Sequence, residues 1–77
     1  MKLINGTDKV FSDISSEEYR EYDFGAKVIR LDAPVALNVS DSGGHRVFTE
    51  DGMSHYIPAG WLHLSWKTKT GKPHFVK

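Results

Sequence analysis

SSEEYREYDFG, residues 15–25, is the stretch whose pattern reads as a helix, and it sets the fold class. Ser15 and Glu18 have the S-x-x-E spacing of a capping box, in which each side chain satisfies a backbone donor at a helix start. Ile14 and Tyr19 fall at the N′ and N4 positions of a hydrophobic staple. Tyr19 and Tyr22, three apart, share a helical face. The acids in the first turn suit the helix dipole, and Gly25 offers the left-handed residue that ends a helix. The spacing predicts one short helix over residues 15–24.

Downstream the pattern changes to short strands and turns. AKVIRLD (26–32) runs into Ala33-Pro34, which is hard to place in a central strand. In VALNV (35–39), Val35, Leu37 and Val39 alternate with Ala36 and Asn38, the period of a half-buried strand. DSGG (41–44) turns the chain into HRVFT (45–49). EDG (50–52) then leads into MSHYI, with Gly52 where a three-residue hairpin loop needs a left-handed residue. PAG (58–60) leads into WLHLSWKT, and TGKP (70–73) into HFV. Upstream, Asn5-Gly6 has the chemistry of a type I′ hairpin turn. The expected fold is α+β and mostly β, in a single domain over residues 1–77. One helix precedes five or six antiparallel strands in a small barrel or bent sheet. In strand rhythm over residues 26–76 the chain resembles small SH3-like barrels, which implies an aromatic-lined surface and no particular function.

A chain of 77 residues buries only about 60% of the surface it exposes when unfolded. Cysteine is absent, so disulfides and thiolate zinc sites are excluded. Apolar residues at 39% and charged residues at 26% fit an ordered domain. No apolar run approaches the roughly 20 residues of a membrane span, and the first ten residues hold no signal-peptide core. The expectation is a cytoplasmic protein without a membrane partner. The sequons at Asn5 and Asn38 read as chance.

The formal net charge is zero, which weighs against general nucleic-acid affinity. The charge is nevertheless segregated. Residues 12–24 carry five carboxylates against Arg20, and residues 65–77 carry four lysines and no acid. The two ends either steer a partner or face each other in the fold.

Asp41-Ser42-Gly43-Gly44 resembles the nucleophile segment of chymotrypsin-like serine proteases. That family orders its triad His, Asp, Ser along the chain. Here His45, His55, His63 and His74 all follow Ser42, and His45 stands where the family usually has Pro. Asp, Ser and Gly are also the residues a tight turn requires. Ser42 therefore reads as a turn residue, and no catalytic residue is assigned.

The histidines raise the question of a metal, and hairpin register decides it. A three-residue loop at 58–60 sets His55 opposite His63. A four-residue loop sets His55 opposite Leu64 and gathers Met53, Ile57, Leu62, Leu64 and Trp66 on one face. The second sorts the residues better, so His55 is expected at the core edge and no metal or other cofactor is expected. Through the EDG hairpin, Thr49 then faces Met53, Val47 faces His55 and Arg46 faces Tyr56. The opposite face carries Arg46, Phe48, Tyr56 and His63 with Trp61 at its edge, a composition typical of binding hot spots. The helix covers either this face, through Tyr19, Tyr22 and Phe24, or the Leu62/Leu64 face.

The expected function is non-enzymatic: a small regulator or inhibitor that masks a site on a larger protein through Arg46, Phe48, Tyr56, Trp61 and His63. Small chains of this kind are often encoded by phages and mobile elements. The same face would also suit a homodimer. The alternative is nucleic-acid binding, with Lys67, Lys69 and Lys72 along phosphates and Trp66 and Phe75 stacked on bases. An enzyme using His55 or His63 with Glu50 or Asp51 ranks last, because no nucleophile or pocket is singled out.

Overall fold

A computed structural model describes residues 10–70 of the protein. The expected helix is absent: residues 17–23 form a strand, and the described chain is all β. Its elements are β1 (Ser12–Asp13), β2 (Glu17–Asp23), β3 (Val28–Asp32), β4 (Pro34–Val39), β5 (His45–Thr49), β6 (Ser54–Ile57) and β7 (His63–Thr68). They form two antiparallel sheets, ordered β1-β4-β5-β6 and β3-β2-β7, and neither closes into a barrel. The SH3-like barrel is therefore corrected along with the helix. The expected turn at Asn5-Gly6 and strand at 74–76 lie outside the described residues. Among the described residues, no helix is long and apolar enough to cross a membrane.

The residues that imitate a helix cap make a turn instead. Asp13 Oδ1 accepts from the Ser15 N–H (2.8 Å), and the Ile14 carbonyl accepts from the Glu17 N–H (3.0 Å). Ser15 and Ser16 thus sit at the centre of a β-turn, for which serine is as well suited as for a cap. Beyond it, β2 is flanked on both sides, by β3 and by β7, and the two ladders satisfy its backbone. A ten-residue helix gains little on its own, whereas a central strand rich in tyrosine gains packing on both faces. Gly25 does adopt positive φ (93°), but in the two-residue hairpin loop that leads to β3, closed by Phe24 N–H to Lys27 C=O (2.8 Å).

The core lies between the sheets. Tyr22 and Leu31 of the three-stranded sheet meet Leu37, Val47 and Ile57 of the four-stranded sheet, with Ile14 at the edge. Phe24, Ile29, Trp61 and Leu64 pack around this cluster. The chain changes sheets at Ala33-Pro34, so proline opens β4, a place where its missing N–H is harmless. Ala33 has φ 50°; its N–H reaches the Glu18 carbonyl (2.9 Å) and its carbonyl accepts from the Glu50 N–H (3.0 Å).

Two expectations from the strand pattern agree with this architecture. β5 and β6 pair with Val47 opposite His55 and Arg46 opposite Tyr56, and Gly52 has φ 87° in the EDG loop. The acidic segment also lies against the basic one: β2 pairs with β7, with Tyr19 opposite Lys67. Neither register considered for residues 58–61 holds, because β6 and β7 belong to different sheets. His55 and His63 are not paired. His55 is half-buried at the core edge with its Nε2 3.3 Å from Thr49 Oγ1.

Candidate functional site

The outer face of the four-stranded sheet brings together three of the five residues singled out for partner binding. Alternation along β5 sends His45, Val47 and Thr49 inward and Arg46 and Phe48 outward. On β6, Tyr56 lies opposite Arg46 and is 49% exposed. The Arg46 guanidinium sits 5.4 Å from the centroid of the Tyr56 ring, and Arg46 NH1 donates to Asn38 Oδ1 (2.8 Å). Asn38 in turn donates from Nδ2 to the Val10 carbonyl (2.8 Å), so its amide is used in both directions. The Tyr56 hydroxyl lies 3.1 Å from Ser42 Oγ and 3.4 Å from Ser40 Oγ, and these bonds hold the phenol below its ordinary pKa. Ser42 is thus part of the β4–β5 turn and braces Tyr56. Arg46, Ser54, His55 and Tyr56 line a shallow notch of about 280 Å³.

Trp61 and His63 are elsewhere, which corrects the five-residue face. Trp61 lies in the loop between β6 and β7, which crosses from one sheet to the other. Its ring packs edge-on to Tyr22 (5.0 Å between centroids), His45 (4.6 Å) and Phe24 (6.5 Å). His63 opens β7, opposite Asp23. The alternative nucleic-acid set is also divided. Trp66 faces inward, opposite Arg20, while Lys67 faces outward beside Tyr19. Lys69 is exposed beyond the end of β7, and Lys72 and Phe75 lie outside the described residues. Among the described residues Lys67 stands on an edge strand, where lysine blocks pairing with foreign strands.

The interior holds a polar chain that residue patterns did not reveal. Glu17 and Arg20 are three apart and would point to opposite faces of a regular strand. A bulge between Glu17 and Tyr19 turns both inward, where each is 0% exposed. Arg20 donates through Nε to Glu17 Oε1 and through NH2 to Oε2, both at 2.7 Å. Its NH1 donates to the Tyr22 hydroxyl (3.1 Å), which lies 2.8 Å from His45 Nδ1 on the facing sheet. Arginine only donates, and among the described residues the Tyr22 O–H has His45 Nδ1 as its acceptor. Nδ1 therefore accepts, and the proton of neutral His45 resides on Nε2. Burial, and then the nearby Arg20 charge, lower the His45 pKa from 6.5 to about 4. The only sequence signal for this chain was Tyr22 and Arg20 at alternate positions.

His45 also lines a cavity of about 350 Å³ between the sheets, walled by Val39, Trp61, Leu64 and Trp66. It is a mostly apolar recess with one polar wall. No protein-family model, curated protein or solved structure matches the chain, so its fold and these two sites stand on their own geometry.

Proposed function

We propose that the protein is a non-enzymatic binding module that masks a site on a larger protein through the outer face of its four-stranded sheet. The observation that carries this reading is the braced cluster of Arg46 and Tyr56. Arg46 stacks on Tyr56 and is held by a neutral amide, with no carboxylate partner among the described residues. Arginine and tyrosine dominate binding hot spots, and rings fixed in advance lose little entropy on docking. The notch beside them presents a cation, two hydroxyls and an imidazole, which suits a partner carboxylate. β6 is the edge of its sheet among the described residues, so an extended acidic segment of the partner would add a strand there. Phe48, half-buried beside Ala36, widens the apolar part of the contact.

Parallel affinity capture with the wild-type chain and with Arg46→Ala and Tyr56→Ala variants tests the reading. Washes are run at low and high salt, with and without nuclease, and far-ultraviolet circular dichroism confirms folding of each bait. The expected result is one protein retained by wild type through nuclease and lost from both variants. Its purified form should bind one to one and protect β6 amides from hydrogen exchange. Retention that disappears with nuclease, or that both variants preserve, overturns the reading. The first of those outcomes points to Lys67 and Lys69 and a nucleic acid.

A further inference from the structure

The cavity between the sheets is a second site, independent of the outer face. Its walls are apolar or aromatic, and His45 is the polar group that lines it among the described residues. His45 is 4% exposed, and its Nδ1 is occupied by Tyr22. The Nε2–H has no acceptor among the described residues. A donor so buried gives up its water, and leaving it unmatched costs stability that a bound acceptor would return. Trp61 and Trp66 make two of its walls aromatic, and a space of about 350 Å³ falls within the range of small-molecule sites. Arg20, the charged group bonded to Tyr22, is already paired with Glu17. A charged ligand would give up its water in this mostly apolar recess, a cost an uncharged one avoids.

From the unmatched Nε2–H of His45 in an aromatic-walled cavity, we infer a binding site for a small, planar, uncharged heteroaromatic ligand that carries a hydrogen-bond acceptor. The ligand enters past Val39, which is 52% exposed at the end of β4. It lies against the Trp61 side and accepts the bond from His45.

Quinoline and indole test this at pH 7.5, where both are neutral. They have similar size, but quinoline only accepts a hydrogen bond through its ring nitrogen and indole only donates. Binding is followed by tryptophan fluorescence and by the nitrogen resonances of His45 and both indole side chains. Quinoline should saturate, shift His45 Nε2 and bind about ten-fold more tightly than indole, the effect of one well-made hydrogen bond. The Arg46 and Tyr56 resonances should stay in place. Val39→Trp, at an exposed position, should fill the cavity and abolish the quinoline response while the fold persists. Equal affinity for the two probes, absence of a saturable shift at His45, or undiminished binding by Val39→Trp each overturns the proposal.

Discussion

His45 shows how one side chain ties pH to stability. In the unfolded chain it takes up a proton near pH 6.5, and in the folded protein only near 4. Between those values the unfolded state holds more protons, so stability falls as pH falls. Above pH 6.5 the neutral ring contributes no penalty; by pH 4 the loss reaches about 3 kcal/mol. Urea unfolding from pH 7.5 to 4 should show this slope, and a His45→Gln variant should flatten it. Asp51 behaves oppositely. Its carboxylate is held below the usual range by the Thr49 hydroxyl and the Met53 N–H, so its contribution is present above about pH 4 and lost below. The buried ion pair gives a second prediction. Glu17→Gln removes the carboxylate paired with the buried Arg20 and should cost about 3–5 kcal/mol. Glu17→Leu with Arg20→Met should recover most of that loss in the same denaturation assay, because replacing both partners removes the stranded charge.

At the level of elements, the β4–β5 turn depends on Gly44 for space rather than for an unusual backbone angle. A Cβ there would fall on the Tyr56 hydroxyl and within 2.9 Å of the Ile57 carbonyl. Gly44→Ala should cost about 1–3 kcal/mol by thermal melt and push Tyr56 off Ser42. Removing the ring as well, in Gly44→Ala/Tyr56→Ala, should restore only part, because the carbonyl remains. Such turns explain which elements were legible in the residues. The β5–β6 hairpin was read correctly because its register follows from a local loop, Glu50-Asp51-Gly52, with glycine at its left-handed position. β2 was misread because Ser15 and Glu18 satisfy a cap and a turn equally well. What decides the matter is β7, about 40–50 residues away along the chain. The same distance hid the true place of Trp61. Pattern alone paired β6 with β7, whereas the loop between them crosses to the other sheet and carries Trp61 into the core. The outer face survived as Arg46, Phe48 and Tyr56 because it depends on the local hairpin. The polar chain was hidden because a bulge, invisible in the alternation, turns Glu17 inward.

Across the whole molecule, the chain crosses between the two sheets at the Ser15-Ser16 turn, at Ala33 and in the Trp61 loop. Ala33 is the only non-glycine residue with positive φ among those described, and its backbone bonds reach both sheets. Left-handed geometry costs an alanine roughly 1–2 kcal/mol, while glycine adds about 0.4–1 kcal/mol of freedom to the unfolded chain. Ala33→Gly should therefore match or exceed wild-type stability by calorimetry. Ala33→Val, β-branched at the same angle, should lose about 2 kcal/mol or more. The outer face of the three-stranded sheet is solvated by charge: Arg30 lies 3.8 Å from the Tyr19 ring centroid and bonds Asp32 at 2.8 Å. On the outer face of the four-stranded sheet, Arg46 bonds the Asn38 amide and has no carboxylate partner among the described residues.

The bond from Tyr22 to His45 has an evolutionary consequence. Glu17, Arg20, Tyr22 and His45 are linked donor to acceptor across the sheets, so a change at any one strands a charge or a hydroxyl in the core. Drift at these positions must then pass through paired replacement. Related chains that have lost the arginine should be found to have lost the glutamate too, with hydrocarbon in its place.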